Sequence, residues 1–252
     1  MKKTKVAIGT LWISFFAIAS IVAWINVGKI EAHQLPMILK QGHDAFGRNC
    51  IYLTLAAAFE SFRAIIPVAI LCFVASLATV SLVLTKNKHV AFGLKTFLDT
   101  VSSLPGFLIA LSLSVLFANS GAAFILGALF LVYPSITRFL EGQILKLQTE
   151  EFIKATEALG AGPFYLFFHH YCPELCRMLI AILPFTFTRL LLIETSLSFL
   201  GFGMAENHET WGRLLYQGKD YFLEAPWILV TASFPLFLTL FSFHLLGDAD
   251  QT

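Results

Sequence analysis

Residues 6–27 read VAIGTLWISFFAIASIVAWINV, an apolar run without one charged side chain. No other feature constrains the fold as tightly, because about 20 apolar residues in a single helix match the hydrocarbon thickness of a bilayer. Lipid offers no partner to an open backbone, so such a run is expected to be a helix that bonds internally. Further predominantly apolar runs, some with a charged residue, cover residues 64–85, about 97–118, 122–139, about 178–201 and 226–246. The expected fold is therefore all-α: a polytopic membrane protein with about six transmembrane helices. Composition agrees, with 57% hydrophobic residues, 13% charged and a mean hydropathy of +0.76. In a soluble domain the charged share alone is about a quarter.

The first run follows three lysines, Lys2, Lys3 and Lys5. A secretory signal has an apolar region of about 7–15 residues ending in a small-residue cleavage site. This run is longer and ends WINVGKI, so it is read as a retained first helix. Short-loop lysines and arginines set orientation. With the N-terminus inside, the inner segments hold Lys2, Lys3, Lys5, Lys86, Lys88, Lys95, Arg138, Lys146, Lys154 and Arg177. The outer segments hold Lys29, Lys40, Arg48, Arg63, Arg213 and Lys219, which favours a cytoplasmic N-terminus. Outer loops are then expected at about 28–63 and 202–225, and the main inner loop at about 140–177. No Gly/Ser linker divides the chain, so residues 1–252 are read as a single transmembrane domain.

Several function classes find no support. The net charge is +1 and no basic block is present, which argues against nucleic acid. Cys50, Cys72, Cys172 and Cys176 are too scattered for a disulfide framework. Cys172 and Cys176, with His169 and His170 nearby, are not read as a metal site, because Pro173 lies between the cysteines. Gly212, Gly218 and Lys219 superficially suggest a phosphate loop, but the spacing is wrong and Asp220 stands where Ser or Thr is needed. No catalytic constellation stands out, so the chain is not read as an enzyme.

The inner loop carries more information. Thr149 is expected to cap a helix with Glu150 and Glu151 in its first turn, where carboxylates are favoured. Phe152, Ala155, Ala158 and Leu159 follow at helical spacing as one apolar face. Gly160, Gly162 and Pro163 then break the helix, and a second helix enters the fifth span after Pro173. Residues alone make this a helical hairpin between spans. That suits a motor-driven subunit, and an ATP-independent channel or secondary transporter equally. In the spans, Glu194, with Ser198 one turn on, is an ionisable group at a depth where charge needs a partner or water. It is read as lining a translocation path or subunit contact, or as a structural group. Arg189 lies in the same span, and Asp99, at the inner end of the third, is likewise read as a path or contact residue or as a helix-entry or structural charge.

Spaced motifs along nearly the whole chain resemble the second permease subunit of the dipeptide, oligopeptide and nickel family of ATP-binding-cassette importers. Asp44, Gly47 and Arg48 in GHDAFGRN match a Gly-Thr-Asp-x-x-Gly-Arg-Asp signature, with His43 for Thr and Asn49 for the last Asp. Asp99 and Pro105 match the Asp-to-Pro spacing of the third span. Ala155, Ala158, Leu159, Gly160, Ala161, His170 and Pro173 fall in register with the EAA loop, with Thr156 for Ala and Cys172 for Leu. Glu194 and the run Leu197 to Gly203 reproduce Glu-x-x-Leu-Ser-Phe-Leu-Gly-x-Gly, followed by Trp211 and Gly212. Pro226, Trp227, Gly247 and Asp248 match the last span, with His244 in place of Asn. The resemblance implies a coupling loop, including Glu151, that contacts a separate ATPase. It also implies a homologous permease, two cytoplasmic ATPases that bind the ATP, an extracytoplasmic solute-binding protein and a bacterial inner-membrane location. The implied cargo is peptide, nickel or a metal chelate.

Overall fold

Confined to internal hydrogen bonding, the apolar runs have only the helix open to them. The computed structural model describes residues 2–27, 42–44, 47–84, 88–117, 121–203 and 209–250. Lys29, Lys40 and Lys86, which entered the charge comparison, lie outside these, as do residues 28–41 of the first outer loop. The helices are α1 (Lys2–Val27), α2 (Cys50–Val83), α3 (Lys88–Ser103), α4 (Gly106–Leu116) and α5 (Gly121–Leu147). They continue as α6 (Glu151–Ala158), α7 (Pro163–Leu166), α8 (Cys172–Phe199), α9 (Trp211–Gly218) and α10 (Trp227–Asp250). A π-type turn, Phe167–Tyr171, joins α7 to α8, so Pro163–Phe199 is one continuous rod.

Among the described residues, four helices are long and apolar enough to cross a membrane: Cys50–Val83, Gly121–Leu147, Pro163–Phe199 and Trp227–Asp248. A bent pair of helices is long and apolar enough only when its two halves are taken together, and α1 contributes a shorter apolar stretch, Gly9–Ile25. The expected third span, about 97–118, is not one helix. Ala91–Ser103 and Gly106–Leu116 meet at 85°. Pro105 sits at the break in extended conformation with ψ 94°, and a proline also pushes the residue before it out of the helical region. Pro67, Pro134, Pro184 and Pro235, by contrast, lie inside continuous helices. What distinguishes Pro105 is the glycine that follows, with Gly106 seated directly on Leu131 of α5. The second span also begins earlier than expected. α2 starts at Cys50, capped by Asn49, whose side chain accepts from the amides of Ile51 and Tyr52 at 3.1 and 3.2 Å.

α2 is the hub and packs against α1, α5, α8 and α10, while α4 lies on α5. Gly127 of α5 lets α4 approach so closely that a Cβ there would lie 2.7 Å from that of Ala110. Small residues permit such approach in lipid, where dispersion replaces the hydrophobic effect as the force between helices. α2 and α5 are also joined by hydroxyls. Thr137 donates to Ser76 at 3.0 Å, Ser76 to the Tyr133 carbonyl at 3.4 Å, and Thr79 and Tyr133 share a 2.6 Å hydrogen bond. An aromatic seam of Trp12, Phe16, Trp211 and Phe62 ties α1 to α2 and α9, with successive ring centroids 5.3, 5.7 and 6.0 Å apart. Outward stripes remain apolar: Leu11, Phe15, Ile18, Val22 and Ile25 on α1, and Val230, Phe234, Phe237 and Phe241 on α10. Such stripes suit lipid.

Candidate functional site

At the end of the bundle where α5 stops and α8 starts, α6 and α7 form the hairpin expected between the fourth and fifth spans. Its closure is set by Gly160, whose φ of +89° an L side chain adopts only at a cost of about 1–2 kcal/mol. With that residue left-handed, the Gly160 amide donates to the Glu157 carbonyl at 2.9 Å and the Ala161 amide to that of Thr156 at 3.3 Å. This is a Schellman closure, which satisfies the last carbonyls of α6. It gives the Ala-Leu-Gly-Ala run a physical reason. Pro163 then opens α7 at a position where its missing amide costs nothing.

Two details differ from expectation. Thr149 is not the cap, because its hydroxyl donates back to the Lys146 carbonyl at 2.6 Å; Glu150 holds the cap position without a side-chain bond. The face that anchors α6 is also not the expected one. Ile153, 2% exposed, is the residue that enters the core, in one cluster with Leu166, Phe167, Tyr171 and Leu175. Phe152, Ala155, Ala158 and Leu159 face outward, Leu159 at 88% exposure, and Phe164 and Phe168 add to the exposed apolar surface. Glu151 and Pro173 are exposed as well. His170 is half-buried, 5.8 Å from the Phe152 ring and 6.1 Å from that of Tyr165. Cys172 Sγ lies 4.0 Å from that of Cys176.

A second constellation lies at the opposite end of α8. Glu194 is 1% exposed and accepts from Ser198 at 2.8 Å, with Ser61 of α2 and Thr195 as longer donors at 3.5 Å. Thr210 reaches Ser198 at 3.5 Å, and Ser61 in turn accepts the Trp211 amide at 3.2 Å. The buried Trp211 ring donates to the Thr54 carbonyl at 3.0 Å. α8 ends in a second Schellman closure at Gly201, with Phe202 donating to Leu197 at 2.8 Å and Gly201 to Ser198 at 3.1 Å. That reversal leads the chain back, so that α9 packs against α8 with Gly212 against Ser198 and Thr195. The structure thus brings Glu194 and Ser198 together, and Asp99 is not part of their cluster. Asp99 lies on α3 and pairs with Arg138 of α5 at 2.7 Å, both side chains being well exposed.

Residues 73–249, which contain the hairpin, Glu194 and the last span, match the binding-protein-dependent transport system inner membrane components. The chain belongs to this family. The permease is 25% identical over 256 residues to a peptide transport system permease protein of Brucella suis, covering 98% of this chain and 86% of that protein. It is 30% identical over 152 residues to the oligopeptide transport system permease protein OppC of Haemophilus influenzae, which is 60% of this chain and 49% of OppC. It is also 25% identical over 150 residues to the glutathione transport system permease protein GsiD of Pectobacterium atrosepticum, 60% of this chain and 50% of GsiD. The permease is thus a multi-pass membrane component of an ATP-binding-cassette importer, of the dipeptide and oligopeptide group.

The GHDAFGRN signature of the permease has a structural basis. Arg48 Nε and its amide both bond Asp44, each at 2.7 Å, and its other end reaches Glu209 at 3.3 Å. Burial opposes the Arg48 charge, but the hydrogen bond and charge of Asp44, together with Glu209, hold its pKa above the ordinary arginine value. Gln217 also donates to Glu209, at 3.3 Å, and the Trp227 ring donates to the His43 carbonyl at 3.0 Å. This clamp joins the starts of α2 and α10 to α9. Glu194 was legible in the sequence of the permease as a charge in a span. Its partners Ser61, Thr195, Thr210 and Trp211 were not, although Trp211 and Gly212 were recognised as a motif.

Proposed function

We propose that the permease moves small peptides inward across the cytoplasmic membrane, driven by separate ATPase subunits that seat on the α6–α7 hairpin. The observation that carries this reading is the hairpin's construction. Ile153 anchors it in the core while Phe152, Leu159, Phe164 and Phe168 stay exposed, a polarity suited to a partner groove. Three relatives whose names refer to peptides, oligopeptides and glutathione favour peptide over nickel as the cargo. In this reading the N-terminus and the hairpin are cytoplasmic, two ATPases bind the ATP, a homologous permease completes the pathway, and an extracytoplasmic binding protein delivers cargo to the opposite end. Glu151, Ala155, Ala158, Leu159, Gly160, Ala161, His170 and Pro173 then form the coupling element.

ATP-driven closure of the ATPase pair has to bias the spans through contacts that differ between states. The rod Pro163–Phe199 supplies the path, since one helix links the hairpin to the Glu194 cluster and through Ser61 to α2. Its π-type turn, where Cys172 donates to the Phe167 carbonyl, is a local irregularity of the kind found at functional hinges.

The test is purification of the tagged chain from mildly solubilised membranes beside Gly160→Arg. A Cβ at 160 meets nothing within 4 Å and its strain at φ +89° is confined to the hairpin, so the variant is expected to insert and to retain the homologous permease. Loss of the ATPase and of uptake in that variant supports docking on the hairpin. Normal uptake by Gly160→Arg, or recovery of the wild-type chain without an ATPase, sinks docking on this hairpin.

A further inference from the structure

Arg189 lies on α8 ten residues before its end at Phe199, which at the helical rise of 1.5 Å is about 15 Å in. With the end of α8 taken as one membrane boundary, that is about half of a hydrocarbon core of roughly 30 Å, which puts the residue near mid-depth. Its side chain is exposed and makes no hydrogen bond or ion pair among the described residues. The carboxylate nearest in sequence, Glu194, is buried elsewhere among hydroxyls. A charge at this depth persists where it faces water or a charged partner.

The surroundings of Arg189 indicate which. It lines a cavity of about 400 Å³ between α5 and α8, together with Ser135 and Phe139 of the first and Ile182, Phe185 and Thr186 of the second. Apolar walls with a few polar groups, at this size, are the make-up of a small-molecule site. Thr186 donates its hydroxyl proton to the Ile182 carbonyl at 3.1 Å, which leaves its oxygen able to accept. A cation beside such acceptors complements a peptide end, where a carboxylate adjoins amide N–H groups. The planar guanidinium pairs with a carboxylate through two parallel hydrogen bonds.

We propose that the α5–α8 cavity is a cargo subsite and that Arg189 binds a peptide carboxylate in it during passage. This rests on the peptide-importer reading above. The assay uses the full complex with its ATPases and binding protein in liposomes, comparing uptake of a dipeptide with that of its C-terminal amide. Arg189→Gln is expected to raise KM for the free acid about tenfold while changing that for the amide far less. Arg189→Lys should recover part of the preference. The binding protein is common to both complexes, so its own selectivity cancels in the ratio. Equal losses for acid and amide, or loss of the homologous permease from the Arg189→Gln complex, overturn the subsite; the latter means that Arg189 pairs with the neighbouring subunit. Absence of ATP-dependent peptide uptake by the wild-type complex overturns the importer reading and the subsite with it.

Discussion

At the scale of single residues, the Glu194 carboxylate decides how α8 is held. It collects hydroxyls from Ser198, Ser61 and Thr195 in a buried space closed by Trp211. Glu194→Gln keeps an acceptor and is expected to cost little. Glu194→Leu strands the Ser61 and Ser198 hydroxyls and should cost about 1–3 kcal/mol, read as a lower unfolding temperature in detergent. Gly212→Ala belongs to the same cluster, since its Cβ would lie 2.5 Å from Ser198 Cβ and 2.6 Å from the Thr195 carbonyl. Overpacking there should destabilise by about 1–3 kcal/mol in the same melt. The sequence pointed to Glu194 because a charge in an apolar run stands out, but Ser61 lies 133 residues away and serine is unremarkable in a helix. The anchoring residue of α6 was missed for a related reason. Ile153 and Phe152 are equally apolar neighbours, and only the packed core shows which of them turns inward.

At the scale of elements, the hairpin was readable because its stop signals are local. Gly160 and Pro163 act through their own backbone, whatever surrounds them. The break at Pro105 was not readable, because a proline in a span either kinks or breaks its helix according to packing. Four other prolines remain within helices, whereas the corner at Pro105 is stabilised by Gly106 on Leu131 and Gly127 on Ala110. Gly127→Leu is therefore expected to separate α4 from α5, raising protease sensitivity near residue 105 while the other helices persist. The hydroxyl ladder between α2 and α5 is a second element-scale feature. Thr137→Val removes its bonds to Ser76 and Tyr133, and a loss of about 1 kcal/mol is expected in a detergent unfolding titration, in line with hydrogen bonds between helices in lipid.

At the scale of the whole molecule, the two ends of the bundle are chemically different, and the reading of orientation can be checked directly. Leu159 and Leu223, 88% and 92% exposed, mark the hairpin end and the α9 end. In a variant lacking Cys50, Cys72, Cys172 and Cys176, a cysteine at 223 should react with an impermeant thiol reagent added to whole cells, and one at 159 only after lysis. The reverse pattern overturns the cytoplasmic N-terminus. Arg48 holds the α9 end together, and Arg48→Leu should lower stability by about 1–3 kcal/mol. Because its folded pKa is raised above the ordinary arginine value, the Arg48 contribution is complete below that ordinary value and is lost only as pH rises through the still higher folded one. The wild-type minus Arg48→Leu difference should therefore be flat between about pH 6 and pH 9. One consequence of the π-type turn at Phe167–Tyr171 concerns how the chain tolerates change in length. A wide turn holds one residue more than a regular helix needs, and it takes up that residue while keeping the segments on either side close to the phase of a regular helix. Deleting one residue there would regularise the helix and leave the α6 hairpin in about its present phase around α8, whereas a deletion in the regular helix beside it would swing the hairpin by about 100°. A change of one residue in length between the hairpin and the fifth span is thus expected to be absorbed at that turn and to be disruptive in the regular helix beside it.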